Sequence, residues 1–535
     1  MKMRNINLFC TFLLTTALVS CNKWLDVMPD NRTEIDTVEK VAKLLVSAYS
    51  ESDYIICSEM VADNLDDMGA SNPYTNRFYE QMYSWGEITE TDNDSPNNVW
   101  QGYYGAITNA NQALLAIDEL GNTEELAPYR GEALLCRAYA HFILVNLFCK
   151  AYNPVTAGTD LGIPYMEHPE TELDPKYERG TVADVYEKIR TDIEEGLPLI
   201  NDGVYSIPKY HFNQRAAYTF ASRFYLFIGE WDEAIRCATV ALGNSPQEML
   251  RDYVTLASYP KDLVVVGTQY SSSNYKNNFL LQASVSYTGY FFSNYFFHAR
   301  FSQNNYLVQT EIMNNAPWGH YPASASSYGY RDMYKLIPQV YTGTNFDKTI
   351  LPKYNPRLIE YTDPVAGTGY FRTLSVPLTA EEALLNRAEA YVMKEQYSDA
   401  LRDMNLWTSN TLNPLKATIG LTEESIKAWA DSFEYYEPDA PTPKKRLNPL
   451  VAEIEEGSDK EAFIHCILYM RRVEFLQSGM RFFDIKRYGI EIYRRTITSS
   501  FSVASVDDKL TVNDERRALQ LPKDVITAGM TPNPR

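Results

Sequence analysis

The segment 130–149 constrains the fold more than any other, because it is apolar on almost every face of a helix and must lie at the centre of a large body. Glu132 to Phe148 comes nearest to a membrane span, but Arg137, His141 and Asn146 interrupt it, so it reads as a buried helix. Further helices follow from apolar residues spaced by three and four: 37–50, and 99–120 with Gly121 as its stop. Thr181 opens another, with Asp184 in its first turn. Residues 214–242 read as two helices broken at Gly229, and 379–407 repeat that plan behind Thr379. A last strong helix covers 461–478 and ends at Gly479.

Two of these pairs share a spacing. Tyr225 is followed by Trp231 and Ala234, and Tyr391 by Tyr397 and Ala400, each six and then three residues on. That is the tetratricopeptide layout, in which a large ring on one helix packs against a small residue on the next. The helical pattern lapses twice. Between about 244 and 375, Ser, Asn, Gly, Pro and aromatics dominate, and Leu263-Val264-Val265-Val266 reads as a short β-type run. Residues 408–460 are also irregular, with Pro438, Pro441 and Pro443 beside Lys444-Lys445-Arg446. Both stretches hold too many aromatics to be disordered linkers. The expected fold is predominantly α: a frame of tetratricopeptide-like hairpins over about 37–243 and 379–490, with loop-rich insertions containing short strands, all in one domain over 21–535.

The N-terminus points to a compartment. Lys2 and Arg4 precede an apolar stretch, Ile6 to Val19, which has the form of a signal peptide over residues 1–20. Leu18-Val19-Ser20-Cys21 resembles a bacterial lipobox, which implies cleavage before Cys21 and a lipid on its sulfur, hence a membrane anchor. Of seven cysteines, Cys57, Cys136, Cys149, Cys237 and Cys466 then remain, an odd set without a CxxC pair, expected as buried thiols. With 49 Lys+Arg against 69 Asp+Glu, the net charge of −20 argues against a nucleic-acid partner.

Motifs for catalysis are missing from the sequence: there is no HExxH, no GxSxG and no phosphate loop, and the six His are scattered. Asp92-Asn93-Asp94 starts like a calcium loop, but Pro96 and Asn97 fall where a ligand and a Gly are needed, so it reads as a turn and no metal or cofactor is expected. A carboxylate pair acting as a glycosidase stays open, since the fold sets its separation. Arg471, Arg472, Glu474, Arg481 and Asp484 read as a structural network of salt bridges at a helix end.

Several segments, in order along the chain, resemble the SusD/RagB family of outer-membrane nutrient-binding lipoproteins of Bacteroidetes. They are Cys21-Asn22-Lys23-Trp24-Leu25-Asp26; Trp100, Tyr103, Tyr104, Ile107 and Ala110-Asn111; and Gly131-Glu132-Ala133 with Arg137-Ala138-Tyr139 and Phe142. They continue with Asn386 to Tyr391, Arg471 to Phe475 with Gly479, Arg481, Asp484 and Arg487, and the tail Leu521-Pro522-Lys523 to Asn533-Pro534. The resemblance implies a non-enzymatic surface lipoprotein that sits over a SusC-like TonB-dependent transporter, captures an oligosaccharide or a peptide, and delivers it for import. A surface glycosidase and a scaffold that binds only proteins are the rival readings.

A sugar site needs rings held half-exposed on loops, with polar side chains beside them. Two stretches qualify. Residues 63–100 hold Asn64, Tyr83, Trp85 and the polar run Asp92 to Asn98; residues 287–330 hold nine aromatics within 287–306, then Trp318 in the turn-like Asn315-Ala316-Pro317-Trp318-Gly319. Trp318, Trp85, Tyr290 and Asn64 are the expected ligand contacts, while Phe291, Phe292, Phe296 and Phe297 are expected to pack the insertion onto the frame.

Overall fold

The computed structural model describes residues 35–69, 72, 74–170, 175–292, 299–321, 328–341, 349–351, 356, 358–498 and 502–535. The expected signal peptide, Cys21, Phe296 and Phe297 lie outside them. The central helix Ala127–Phe148 is buried on nearly every residue from Gly131 onward, as its lack of a polar face requires. It packs between Pro96–Glu119 and Val182–Gly196. Thr181 caps the latter in a capping box with Asp184, each side chain accepting from the other's backbone. No helix among the described residues is long and apolar enough to cross a membrane.

The two hairpins form as their spacing implies. Gln214–Ile228 ends at Gly229 with φ +81°, and the next helix, Trp231–Leu242, returns along it. Ala380–Met393 and Tyr397–Thr411 repeat the turn with Glu395 at φ +60°, a conformation that disfavours a side chain; Glu395 pairs with Lys460 at 3.0 Å. Tyr225, Ala234 and Ala400 are buried, and the Tyr397 ring packs on Phe463 at 4.8 Å. Helix Ala380–Met393 touches both hairpins and Asp459–Glu474, which makes the frame continuous.

Two local expectations are corrected. Leu263–Tyr270 is a helix, because Asp262 caps it by accepting from the N–H groups of Val264 and Val265; four β-type residues do not outweigh a good cap and packing. The final strong helix stops at Glu474, and Gly479 (φ +79°) instead opens the next one, Met480–Arg487. A Cβ at Gly479 would fall 2.8 Å from the Tyr54 ring, so close packing as well as φ calls for glycine there.

Most of the described strands lie in the first insertion, while Asp66–Asp67, Ile492–Ile497 and Val503–Leu510 lie outside both insertions. Asn278–Val285, Thr368–Thr379 and Leu358–Asp363 form an antiparallel sheet with Thr368–Thr379 in the middle. A four-stranded sheet joins Phe301–Ser302, Asp66–Asp67, Ile492–Ile497 and Val503–Leu510, drawing the first insertion and both ends of the described chain together. One hydrophobic cluster runs from Val41 to Leu521 and takes in Phe291, Phe292 and Trp318 of the first insertion and Trp429 of the second. Cys57, Cys136, Cys149, Cys237 and Cys466 are free thiols buried in this body.

Charged residues are buried with partners. Arg471 meets Asp484 at 2.9 Å, and Arg487 bridges Asp484 (2.7 Å) to Glu389 (2.6 Å). Beside them, Asp63 takes both arms of Arg481 at 2.8 Å and Lys445 at 2.9 Å, and lies 3.4 Å from Arg472. Glu311 takes Lys445 and Arg495 at 2.9 Å each, and Arg495 also pairs with Asp66. This network ties both insertions to the frame, the structural role expected for Arg471, Arg472, Arg481 and Asp484; Glu474, expected in it as well, instead accepts from the Trp407 indole N–H at 2.9 Å and the Tyr253 hydroxyl at 3.1 Å.

Candidate functional site

The two stretches singled out in the sequence meet at one cleft. Its volume is about 710 Å³, and its walls come from Asn76 to Ser95 on one side and from Tyr287 and Tyr290 on the other. Local chemistry shapes the first wall. Asn76 caps helix Arg77–Tyr83 by accepting from the Tyr79 N–H at 2.9 Å, and Ser95 caps Pro96–Glu119, with Pro96 in the first turn. Between them Asp92-Asn93-Asp94 forms the expected turn, with Asp94 at φ +65°. Among the described residues no three His, Cys, Asp or Glu side chains converge as a metal site.

Asp94 joins the two walls. Its carboxylate is 1% exposed; Ser286 Oγ donates to Oδ1 at 2.6 Å and the Tyr287 N–H donates to Oδ2 at 2.7 Å. Burial pushes its carboxyl up to about 6 against those hydrogen bonds, and nearby Asp53 rises to about 7 through burial and the charge of Asp94. The link holds the start of 287–290 against the turn, and the rings follow. Tyr287 is 37% exposed, and its ring lies 6.5 Å from that of Tyr290. Phe371 supports both, at 5.0 Å from Tyr287 and 5.3 Å from Tyr290. Below them Tyr79 packs on Phe291 at 4.8 Å. The polar edge consists of Asn76, Asn93, Asp92 and a loose Arg77–Glu90 pair at 3.7 Å. Rings of this kind take the C–H faces of a sugar, and the amides and carboxylates take hydroxyls.

Of the four residues expected to touch ligand, this cleft contains Tyr290. The other three are buried elsewhere. Trp318 is 0% exposed, because the Ala316–Gly319 turn, closed by two backbone hydrogen bonds, directs the indole inward against Trp407 (5.2 Å), Tyr469 (5.4 Å) and Tyr334 (6.4 Å). Trp85 donates its indole N–H to the Val61 carbonyl at 3.1 Å and has the Arg494 guanidinium 4.0 Å over its ring. Asn64 donates to Glu59 and accepts from Arg472, both at 3.0 Å, as part of the buried polar network. Phe291 and Phe292 are buried as expected. Tyr287 and Asn93 fell within the two chosen stretches without being selected. Phe371 had no signal, since its place follows from strand register alone.

Residues 23–226 match the SusD-like family model described as "starch-binding associating with outer membrane". No curated protein matches the chain in sequence. Solved structures resemble it over nearly its whole length. One is a putative sugar-binding protein from Bacteroides vulgatus, 20% identical, with a TM-score of 0.65 and 94% of this chain and 99% of that one covered. Another is a SusD superfamily protein from Bacteroides thetaiotaomicron, 18% identical, TM-score 0.59, covering 93% and 100%. A third is a laminarin-binding SusD-like protein, 14% identical, TM-score 0.51, covering 93% and 99%.

Proposed function

We propose that this chain is a SusD/RagB-family protein that binds an oligosaccharide in the cleft between Asn76–Ser95 and Tyr287–Tyr290 and hands it to a SusC-like TonB-dependent transporter. The observation that carries the reading is the cleft itself: half-exposed tyrosines backed by Phe371, faced by amides and carboxylates. Support comes from the family's description as starch-binding and from a laminarin-binding protein of the same fold. Capture rather than hydrolysis is the function proposed, because the matching family model is described as starch-binding and a protein of the same fold as laminarin-binding.

The test is calorimetry against oligosaccharide ladders derived from starch and from laminarin, backed by a glycan array. Tyr290→Ala is expected to weaken binding about three- to tenfold, the worth of one aromatic platform, with unchanged circular dichroism. A folded variant that binds like the parent, or release of shorter products from the ladders, would overturn the reading.

Anchoring at Cys21 completes the proposal; its support is Leu18-Val19-Ser20-Cys21, which resembles a bacterial lipobox. Delivery to an outer-membrane transporter needs the body held at that surface, which acyl chains do. Cys21→Ala is expected to move the protein from the membrane fraction to the supernatant on cell fractionation, and unchanged membrane retention would count against the anchor.

A further inference from the structure

We infer that the binding surface continues past the cleft along the 358–379 hairpin, where Tyr361 is a distal platform reached only by an extended glycan chain. This rests on the reading of the cleft as a glycan site and deepens it by naming the ligand's form.

The geometry follows from strand register. The Ser286 N–H donates to the Phe371 carbonyl at 3.1 Å, so the segment leading to Tyr287 and Tyr290 runs beside the hairpin. Phe371, whose ring touches both tyrosines, therefore marks which face of the hairpin looks toward the cleft. Side chains alternate along a strand, and residues directly paired across an antiparallel ladder share a face. Tyr361 pairs with Gly369, two residues from Phe371, so Tyr361 and Phe371 stand on the same face as diagonal neighbours, about 7–8 Å apart. Tyr370 pairs with Glu360 on the opposite face, where Glu360 is already engaged by Arg372 at 2.7 Å.

Two further observations leave the Tyr361 ring open to a ligand. It is 53% exposed. Its cross-strand partner is a glycine, and a Cβ at Gly369 would fall 2.1 Å from the Glu360 carbonyl oxygen, so no side chain can stand there to cover the ring. The result is a line of rings, Tyr361, Phe371, Tyr287 and Tyr290, leading into the cleft. A short sugar seated against Tyr290 does not reach Tyr361, whereas a longer chain does.

The experiment compares disaccharide with octasaccharide from the malto- and laminari-ladders, by calorimetry, on the parent, Tyr361→Ala and Tyr370→Ala. The parent is expected to bind the octasaccharide more tightly than the disaccharide. Tyr361→Ala should weaken the octasaccharide about three- to tenfold and leave the disaccharide unchanged. Tyr370→Ala, equally exposed on the other face, should match the parent for both. The inference is overturned if Tyr361→Ala retains the parent's octasaccharide affinity, if it weakens both lengths equally, or if Tyr370→Ala has the same effect. In each of those cases the parent still binds, so the cleft reading stands. A parent that binds neither ladder removes the cleft reading and this inference together.

Discussion

Asp63→Ala is expected to destabilise the protein by about 3–5 kcal/mol, because it leaves buried cations without their counter-charge. Asp63 is 7% exposed and holds Arg481 with two contacts, Lys445 with one, and Arg472 at longer range. In the cluster, Lys445, Arg472, Arg481 and Arg495 face Asp63, Asp66 and Glu311. Removing one of three carboxylates leaves four cations against two. The loss belongs to the fold, since Lys445 lies in the second insertion and Arg481 in the C-terminal helices, 382 and 418 residues away. Urea denaturation near pH 7 checks it; a change within about 1 kcal/mol, the range of an exposed pair, would show that the network is not closed in solution.

The same residue sets an acid limit. Burial raises the Asp63 carboxyl, but Arg472, Arg481 and Lys445 outweigh burial and hold it well below the usual carboxylate range; Glu311 is lowered in the same way by Lys445, Arg495 and Arg472. A carboxylate with a depressed native pKa contributes stability above its unfolded value and loses it as the pH falls toward the native one. The parent should therefore lose stability steeply below about pH 4, and Asp63→Ala should show a shallower acid slope.

Trp318→Ala is the second large effect, expected at about 3–5 kcal/mol, the cost of emptying a large buried aromatic site. The indole fills the space between Trp407, Tyr469 and Tyr334, joining the first insertion to helices Tyr397–Thr411 and Asp459–Glu474. The folded fraction should keep its ligand affinity, because the cleft does not include Trp318. Unfolding curves and calorimetry on one preparation separate the two readouts; an intact unfolding curve with lost binding would return Trp318 to the ligand site.

What could be read from the chain and what could not divide by range. Helix ends depend on residues within a turn or two, so Thr181 with Asp184, Thr379 before its helix, and Gly229 with its reversal were legible before any contact was known. The central position of 130–149 was legible too, because a helix without a polar face has one place to go. The run at 263–266 misled, since β-branched composition is a weak preference and the Asp262 cap was overlooked.

The candidate cleft was legible as a pair of stretches and illegible as a set of rings. Tyr and Asn crowding in 63–100 and 287–330 marked surface chemistry, and both stretches do supply the cleft. Which rings face solvent is decided elsewhere. Pro317-Trp318-Gly319 has the same local turn whether its indole points outward or inward, and helices about 80 to 150 residues further on supply the partners that bury it. Likewise Asn64 is withdrawn from solvent by Arg472, 408 residues away, and the two walls of the cleft meet through Asp94 and Ser286, 192 residues apart. Capping and helical periodicity act over one turn of chain and so leave a trace in its spelling. Burial and long-range hydrogen bonds depend on which surfaces the completed fold brings together, and the residues concerned look the same in sequence on either side of that outcome.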